Sequence, residues 1–570
     1  MFWYMGLYFS QLKTVVADKL EIFTKNSCIQ FFLIFLFYFF LSYSTLYHSI
    51  VAETWPETHE LRTFFLRTYI YTRHFSQWDF FPVWSVLDNH ELGSPQPILY
   101  HKIFYLFAAF FYLLTASLKV SIVLTLLLFM VVGAFGVFKL CKFVGCSSFI
   151  AFCGGAMLIV ANYTVTNWLI RGAVAESVGA MIVPWFLLEC LRSLTYSRIT
   201  KRCVFYFCLI FLSHSVLAYY CLLIVGTLGI LYTLFSKTFL HFFSWKNLIG
   251  PFLVGAVTTG PYLYAMMVIG KDYDLERLGS QYVPKDEFKP LLSYLWDTEW
   301  VWGRAFVPYT IQIDVPLLVL FVIGIVILVV GVNLRAIYRN SLFFRSFQAR
   351  DYLITYLFGG ILIICVVLQL SMTLPFYDYF PGAAYIQFPW RLLSLVTPVL
   401  IVLCLFLISF PSFKPVPMAS NSLSVIALGF MIFFCGAYPK IQYGMLSTLE
   451  PKLKVHFSYT GEFKPVSDTR EGIRDLVNPK CTVTRHPSPP EWLDVVISVD
   501  CSEDTEVILP IYQSPAHILE VGEKYELCQT NAEFPALCAV SVRAGKPDIL
   551  VRMPTMGRVF LARFLKMVEL

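Results

Sequence analysis

Long apolar runs, scarcely interrupted by charge, recur along this chain, beginning with residues 29–50. A helix of about 20 such residues crosses the ~30 Å hydrocarbon core of a bilayer. Apolar residues make up 58% of the chain and charged residues 14%, whereas soluble domains have about 45–50% and ~25%. A soluble core cannot bury that much apolar surface. The composition therefore excludes soluble, disordered and fibrous proteins and predicts a polytopic α-helical membrane protein.

Eleven runs are long enough to span the membrane. They cover residues 29–50, 119–138, 148–165, 177–193, 203–216, 217–236, 247–268, 313–333, 352–372, 391–411 and 420–438. The first 28 residues carry three lysines and lack a small-residue cleavage site, which favours a retained anchor over a removed signal peptide. The apolar stretch 98–115 is expected to form an interfacial or re-entrant helix.

Loop charge predicts the orientation, because Lys and Arg collect in cytoplasmic loops. With eleven spans and a cytoplasmic segment 1–28, every inner loop is basic. A twelfth span at 98–115 would move those basic clusters outside. We therefore expect a transmembrane domain over 29–438 with a long first outer loop at 51–118. The net charge of +6 then reflects sidedness and not affinity for nucleic acid.

The tail, residues 439–570, has a soluble composition, since 32 of its 132 residues are charged. Short alternating runs such as DVVISVD and EVILPIY, separated by Pro, Gly and Asn, predict a small antiparallel β-rich domain. We expect this domain to lie outside the cytoplasm, in the periplasm if the membrane is the bacterial inner membrane.

Four of the 15 cysteines lie in this tail, at positions 481, 501, 528 and 538, and the other eleven lie in or beside the spans. An even number in an oxidising compartment predicts two disulfides. Three pairings are possible, and we favour the local ones, Cys481–Cys501 and Cys528–Cys538. The alternative is four reduced thiols.

The first outer loop contains Asp79 between Trp78 and a Phe-Phe-Pro turn, with Asp88 and Glu91 following. A carboxylate held against aromatic side chains at the membrane surface is partly desolvated, which makes it a stronger base. Asp79 is thus a candidate general base. The alternative is a helix cap or a solvated loop acid.

The second outer loop contains Arg171, Gly172 and Glu176 at the mouth of a span. A guanidinium group at this position could hold a phosphate in bidentate fashion. The glycine would allow close backbone approach. An interfacial anchor and a surface acid would explain the same residues.

His214 is expected where two spans meet at the outer end, where a structural role in the bundle is the alternative to a functional one. Ahead of a later span, Gln387, Trp390 and Arg391 also lie on the outer side. Arg391 could bind a lipid phosphate or extend to the headgroups. The predicted sidedness places all these polar residues on one membrane face, which favours a common site.

No nucleotide-binding loop, zinc-protease motif or paired CxxC competes with this interpretation. The polar residues instead stand in motifs that resemble the GT-C superfamily of membrane glycosyltransferases. Within that superfamily, the chain is similar to bacterial YfhO-like and "6-pyruvoyl-tetrahydropterin synthase-related" membrane proteins. The resemblance rests on Gly93-x-Pro95 leading into an aromatic helix at Tyr100, RGAVAE at 171–176, LSH at 212–214, QFPWR at 387–391 and VILPIY in the tail.

The resemblance implies a sugar donor carried on polyprenyl phosphate and an acid of the first loop, best matched by Asp79, as catalytic base. Arg171 and Arg391 would bind the carrier phosphate. Glu176, His214, Asp88, Glu91 and Gln387 would support the site, and Trp78, Tyr100 and Trp390 would stack on substrates. Asp79 lacks the adjacent second acid of better-known GT-C enzymes, so a divalent metal is left open.

The expected reaction is transfer of the sugar, with inversion, to an envelope glycan or lipid acceptor outside the cytoplasm. Two other classes stay open. A lipid or glycan transporter would need no chemistry, although it would typically show internal repeats. In a non-catalytic envelope-assembly protein, the β-domain would be a binding module.

Overall fold

The structure is a computed structural model in which most of the membrane region and most of the tail are described. The described residues are 27–51, 55–56, 58, 60–89, 92–273, 288, 312–337, 349–383, 386, 388–409, 417–436, 443–444, 478, 480–486, 494–514, 516–522, 524–532, 534 and 536–560.

The membrane region is helical. Its helices are α1 (Ser27–Val51), α2 (Leu61–Ser76), α3 (Gln96–Leu99), α4 (Ile103–Thr115), α5 (Leu118–Val144), α6 (Ser148–Val160), α7 (Asn162–Leu169), α8 (Val174–Thr195), α9 (Lys201–Ser213), α10 (Ser215–Tyr220), α11 (Thr227–Phe235), α12 (Phe239–Phe242), α13 (Trp245–Ile269), α14 (Val315–Ile337), α15 (Ala349–Val367), α16 (Leu374–Tyr379), α17 (Leu393–Ser409) and α18 (Pro417–Gly436). A π-helical segment, Cys221–Gly226, joins α10 to α11.

Seven helical segments among the described residues are long and apolar enough to cross a membrane, or eight if a bent pair that breaks near residue 370 is one span. This confirms an integral membrane protein. Each of the eleven predicted spans overlaps a helix, but some of these helices are short, so the count of eleven stays a prediction. The 98–115 stretch is broken between Leu99 and Ile103, and its main helix, α4, has 13 residues. At ~1.5 Å per residue that helix is too short to cross.

Helices α8 and α17 lie at the centre of the bundle, with nearly all their residues buried. Helix α5 packs against α8, α6 and α4. The Ser117 hydroxyl begins α5 by accepting a hydrogen bond from the Val120 N–H, and Gly145, with a φ of 102°, ends it. The polar residues of the candidate site lie at the N-terminal ends of α8 and α17.

The tail forms two antiparallel sheets, which confirms the predicted β-rich domain. Its strands are β3 (Cys481–Arg485), β4 (Val495–Cys501), β5 (Thr505–Tyr512), β6 (Ile518–Val521), β7 (Lys524–Leu527), β8 (Gln529–Thr530), β9 (Leu537–Val542) and β10 (Asp548–Arg552). The sheet orders are β3-β4-β10-β6-β7 and β5-β9-β8. A two-residue pair, β1 (Trp55–Pro56) with β2 (Tyr443–Gly444), ties the first outer loop to the start of the tail.

Both favoured disulfides are present. Cys481 bonds to Cys501 across the paired strands β3 and β4, and Cys528 bonds to Cys538 beside the β8–β9 pair. Their presence is consistent with an extracytoplasmic tail.

Candidate functional site

A buried carboxylate lies where α7 turns into α8. Gly172 makes the turn with a φ of 71°, and a Cβ there would lie 2.3 Å from the Thr58 hydroxyl oxygen, so only glycine fits. Glu176 follows in the first turn of α8. The unpaired N–H groups at a helix N-terminus favour a carboxylate at this position.

Glu176 accepts hydrogen bonds at both of its carboxylate oxygens. Arg171 Nη1 donates to Oε2 over 2.9 Å. The Tyr163 hydroxyl donates to Oε1 over 2.8 Å, and the Ser394 hydroxyl, from α17, donates to the same oxygen over 2.9 Å. Glu176 therefore joins three helices, and its side chain is only 1% exposed.

Arg171 is enclosed by protein groups. Besides Glu176 it donates to the Tyr163 hydroxyl oxygen, over 3.2 Å, and to the Asn167 amide oxygen. Its guanidinium carbon lies 4.4 Å from the centre of the Trp390 ring. Because Arg171 is buried and has these partners, its main role in the structure is to balance the charge of Glu176.

Arg391 lies on the other side of Glu176 and is held less tightly. Its Nε is 3.6 Å from Glu176 Oε2 and forms no hydrogen bond. Its side chain is 12% exposed, and its guanidinium lies 4.8 Å from the Phe388 ring centre. Two guanidinium groups thus approach the Glu176 carboxylate, and Glu60 is a second acid that acts electrostatically on Arg171. The Nε of Arg391 keeps an unused donor, as an anion-binding site requires.

Two histidines extend the cluster towards the first outer loop. His214 ends α9 and begins α10, where its Nδ1 accepts from the Leu217 N–H. Its Nε2 therefore carries the proton and points at Glu176 Oε2, 3.8 Å away. Its ring centre is 4.5 Å from that of His101, which packs on Tyr100.

Lys102 is a buried cation without an acidic partner among the described residues. Its Nζ donates to the carbonyl oxygens of Ile98 and Tyr100, over 2.9 and 2.7 Å. It lies 5.1 Å from the Tyr262 ring centre. Burial lowers the pKa of Lys102 to about 7. This residue adds a basic group next to His101, whose ring packs on His214.

Asp79 lies at the end of α2, paired with a histidine that the sequence did not single out. His74 Nδ1 is 2.9 Å from Asp79 Oδ2, and His74 Nε2 is 2.8 Å from the Trp84 carbonyl oxygen. A carbonyl only accepts, so Nε2 carries a proton. A further proton, shared between Nδ1 and the carboxylate, completes the second hydrogen bond.

The other Asp79 oxygen, Oδ1, accepts from the Phe81 N–H over 3.2 Å. The Asp79 side chain is 13% exposed. Trp78 beside it is 80% exposed and has a φ of 60°. The partly exposed carboxylate could contact a hydroxyl group of a sugar, and the exposed indole ring beside it could stack on the face of the sugar ring.

Contacts connect the Asp79 pair to the Glu176 cluster. Phe81 packs on Tyr262, with ring centres 6.1 Å apart, and Tyr262 faces Lys102. The Lys102 N–H donates to the Leu212 carbonyl, two residues before His214, over 2.7 Å. A continuous row of polar and aromatic groups thus runs from the first outer loop to Glu176.

The tail supports the loop that carries Asp79. The ring of His517 packs edge-on against Trp84, with centres 4.6 Å apart, and the Tyr512 N–H donates to the Leu92 carbonyl over 2.9 Å. Burial lowers the pKa of His517 to about 3, so this ring is uncharged. The β-domain therefore forms one wall behind the His74–Trp84 contact.

The structure brings together Arg171, Glu176, His214, Trp390 and Arg391, with Tyr100 joined through His101. Asp79 and Trp78 form a second group. Asp88 is buried and accepts from the Ser94 hydroxyl over 2.6 Å, inside the loop. Glu91 and Gln387 lie outside the described residues.

Sequence reasoning missed His74, Tyr163 and Ser394. The five-residue spacing of His74 and Asp79 across a helix end was the one local signal, whereas Ser394 reaches Glu176 from a distant helix. No group of three or more metal-ligating side chains occurs within the described parts of the chain. The pairing of Asp79 with His74 alone therefore does not fit a divalent metal, and no step below uses one.

No family model matches the chain, and no curated protein matches it. Among solved structures, it is similar to two cryo-EM structures of arabinofuranosyltransferase AftD from mycobacteria, one of them a mutant. In both cases the identity is 14% and the TM-score 0.42. The matches cover 72% and 74% of this chain but 28% and 27% of the AftD chains. The chain thus spans under a third of their length, and we base the proposed function on its own residues.

Proposed function

We propose that this protein is an integral-membrane glycosyltransferase of the GT-C type. It would move a sugar from a polyprenyl-phosphate carrier to an envelope glycan or lipid on the outer face of the membrane. The observation that carries the proposal is the arrangement around Glu176, where two guanidinium groups approach one carboxylate and the Nε of Arg391 has no hydrogen-bond partner. An anionic ligand in contact with the membrane suits such a site.

Arg391 is the proposed ligand for the carrier phosphate. It is partly exposed, and its Nε has no hydrogen-bond partner. Arg171 would act indirectly, because it holds Glu176 and supports the Trp390 ring. As the glycosidic bond breaks, charge grows on the leaving phosphate, and a preorganised guanidinium stabilises that charge.

Asp79 is the proposed general base. It would take the proton from the acceptor hydroxyl, whose oxygen then attacks the anomeric carbon while the carrier phosphate leaves. This single displacement inverts the anomeric centre. His74 keeps the carboxylate oriented through its bond to the Trp84 carbonyl. Trp78 would stack on the acceptor or donor sugar.

The β-domain would present the acceptor, since it contacts the loop that carries Asp79. In this arrangement the N-terminus lies in the cytoplasm and the tail in the periplasm. The basic loops and the two disulfides support that orientation.

Lipid analysis of a strain lacking the gene tests the proposal. We expect a polyprenyl-phosphate sugar to accumulate, and the wild-type gene to restore the normal pool. Re-expression of an Asp378→Asn variant, which changes an exposed acid on α16, should restore it equally well. An unchanged carrier pool in the deletion strain would contradict the proposed function and favour a transporter or an assembly protein.

A further inference from the structure

A cavity lies within the bundle, at the end opposite to the Glu176 cluster. It has a volume of about 300 Å³ and is lined by α8, α9, the π-helical segment, α11 and α12. Cys190, which lines it, is 14 residues beyond Glu176 on the same helix, or ~21 Å along the axis at ~1.5 Å per residue. The cavity is therefore separate from the proposed reaction site.

The walls of this cavity are apolar. Phe186, Phe207, Val225 and Phe242 are among its lining residues, and the one hydroxyl side chain, Ser193, is already bonded to Thr200. Leu222 and Ile230 on its open side are 62% and 43% exposed, facing the space that lipid fills. A hydrocarbon chain is the ligand that such walls accept.

The π-helical segment Cys221–Gly226 forms part of the wall. Such segments are rare and occur mostly where function requires them. Neither Gly226 nor Gly229 is forced by close contact, because added Cβ atoms would meet only leucine side chains at 3.7 and 3.9 Å. These small residues leave the cavity open where leucine would fill it.

Three basic residues surround the mouth. Lys201 and Arg202 begin α9, one turn before Val204 and Phe207 of the lining, and Lys246 begins α13, shortly after Phe243. Lys201 lies over Gly250 of α13, which brings the two helix starts together. All three basic side chains are exposed, and none forms an ion pair with another described residue. They supply a positive rim to an apolar cavity.

We propose that this cavity binds one acyl chain of an anionic glycerophospholipid from the cytoplasmic leaflet, with the lipid phosphate on Lys201, Arg202 and Lys246. An apolar slot with a cationic rim complements such a lipid in both of its parts. This site is independent of the proposed transferase activity. Cys190 and Cys203, which line it, would contact the chain.

Photo-crosslinking of the full-length protein in nanodiscs tests this site. The probe is a phosphatidylglycerol with a photoreactive acyl chain, diluted into phosphatidylcholine, and crosslinked peptides are located by mass spectrometry. We expect labelling within 199–207 and 222–230. Excess phosphatidylglycerol should displace the probe, whereas excess phosphatidylcholine should not.

Two sets of variants test the two parts of the site. Gly226→Leu with Gly229→Leu should abolish labelling by filling the slot. The triple variant Lys201→Gln, Arg202→Gln, Lys246→Gln should reduce labelling about tenfold or more. Each basic residue near a membrane surface strengthens lipid binding by at most roughly fivefold. The matched control, Lys139→Gln with Lys142→Gln on α5, should leave labelling unchanged.

Several outcomes would overturn the proposal. Equal displacement by phosphatidylcholine would mean an ordinary lipid contact without headgroup preference. Stronger displacement by farnesyl phosphate than by phosphatidylglycerol would assign the cavity to a prenyl carrier. The competition arm uses wild-type protein, so it decides the matter even if the leucine variants do not fold.

Discussion

The two acidic sites, Glu176 and Asp79, differ in how completely the protein satisfies their carboxylate oxygens. Glu176 is 1% exposed and bonded to Tyr163 of α7, Ser394 of α17 and Arg171 of the turn between α7 and α8. Asp79 is 13% exposed, and its described side-chain partners are one imidazole and one backbone N–H. The first carboxylate is fixed and has no capacity for a substrate, whereas the second retains acceptor capacity at an accessible surface. Glu176 thus serves the structure and charge of the site, and Asp79 is the group suited to proton transfer.

The largest expected effect follows from Glu176→Gln. This change leaves Arg171 and Arg391 buried without a counter-charge, and breaking a buried pair in this way costs about 3–5 kcal/mol. We expect a large loss of monodisperse protein and a lower unfolding temperature in detergent. Asp79→Asn keeps an oxygen acceptor for the Phe81 N–H and should lower stability by less, about 1 kcal/mol, which is the scale of one hydrogen bond. Equal destabilisation by both variants would remove the distinction between the two sites.

Arg391→Gln should affect substrate binding more than folding. A hydrogen bond to a charged group contributes about 1.5–3 kcal/mol, so we expect KM for the lipid-linked donor to rise roughly 10- to 100-fold. Steady-state kinetics in proteoliposomes measures the change, and the unfolding temperature controls for misfolding. A variant with an unchanged KM would show that Arg391 does not bind the donor phosphate.

His74→Gln tests whether the histidine positions Asp79. We expect kcat to fall about tenfold with KM unchanged, because the effect of a poorly oriented base falls on the chemical step. The unfolding temperature should stay close to that of the wild type, because only the orientation of Asp79 is lost. A fall in kcat that merely follows a loss of folded protein would indicate a purely structural role.

Asp314 gives the smallest expected effect and concerns the helix that leads to Arg171. Its carboxylate accepts from the Asn162 N–H at the start of α7 over 2.9 Å. This hydrogen bond joins the start of α7 to the residue that precedes α14, and a bond of this kind contributes about 1 kcal/mol.

Asp314→Asn keeps the acceptor oxygen without the charge. We expect it to keep the stability of the wild type, whereas Asp314→Ala, which removes the acceptor, should lower the stability by about 1 kcal/mol. Unfolding temperatures of the wild type and both variants in detergent provide the measurement. An Asp314→Ala protein as stable as the wild type would contradict the assignment.

The sequence predicted those helices, strands and disulfides that depend on local patterns. Span-length apolar runs predicted the helices, alternation predicted β4, β5, β9 and β10, and cysteine spacing predicted both disulfides. Arg171 and Glu176 were expected to lie together at the mouth of one span, because they are only five residues apart in the sequence. Their ion pair depends on the positive φ of Gly172, which residue type alone does not fix.

Contacts between residues far apart in the chain could not be predicted from the sequence. Ser394 is 218 residues from Glu176, and no periodicity relates the two. His74 meets Asp79 because Trp78 adopts a left-handed conformation that returns the chain onto the end of α2. A bulky residue rarely takes that conformation, so a sequence pattern would not have predicted it. The support of Trp84 by His517 depends on how the β-domain packs on the first loop.

Sugar transfer by purified protein tests the central claim most directly. Proteoliposomes would receive the lipid extract of the deletion strain as donor and a membrane glycan fraction as acceptor, with mass spectrometry following the lipid-linked sugar. We expect wild type and Asp378→Asn to consume it at equal rates and Asp79→Asn to be slower by about 10²- to 10⁴-fold, the range for loss of a general base. Full activity of a folded Asp79→Asn protein would contradict the account.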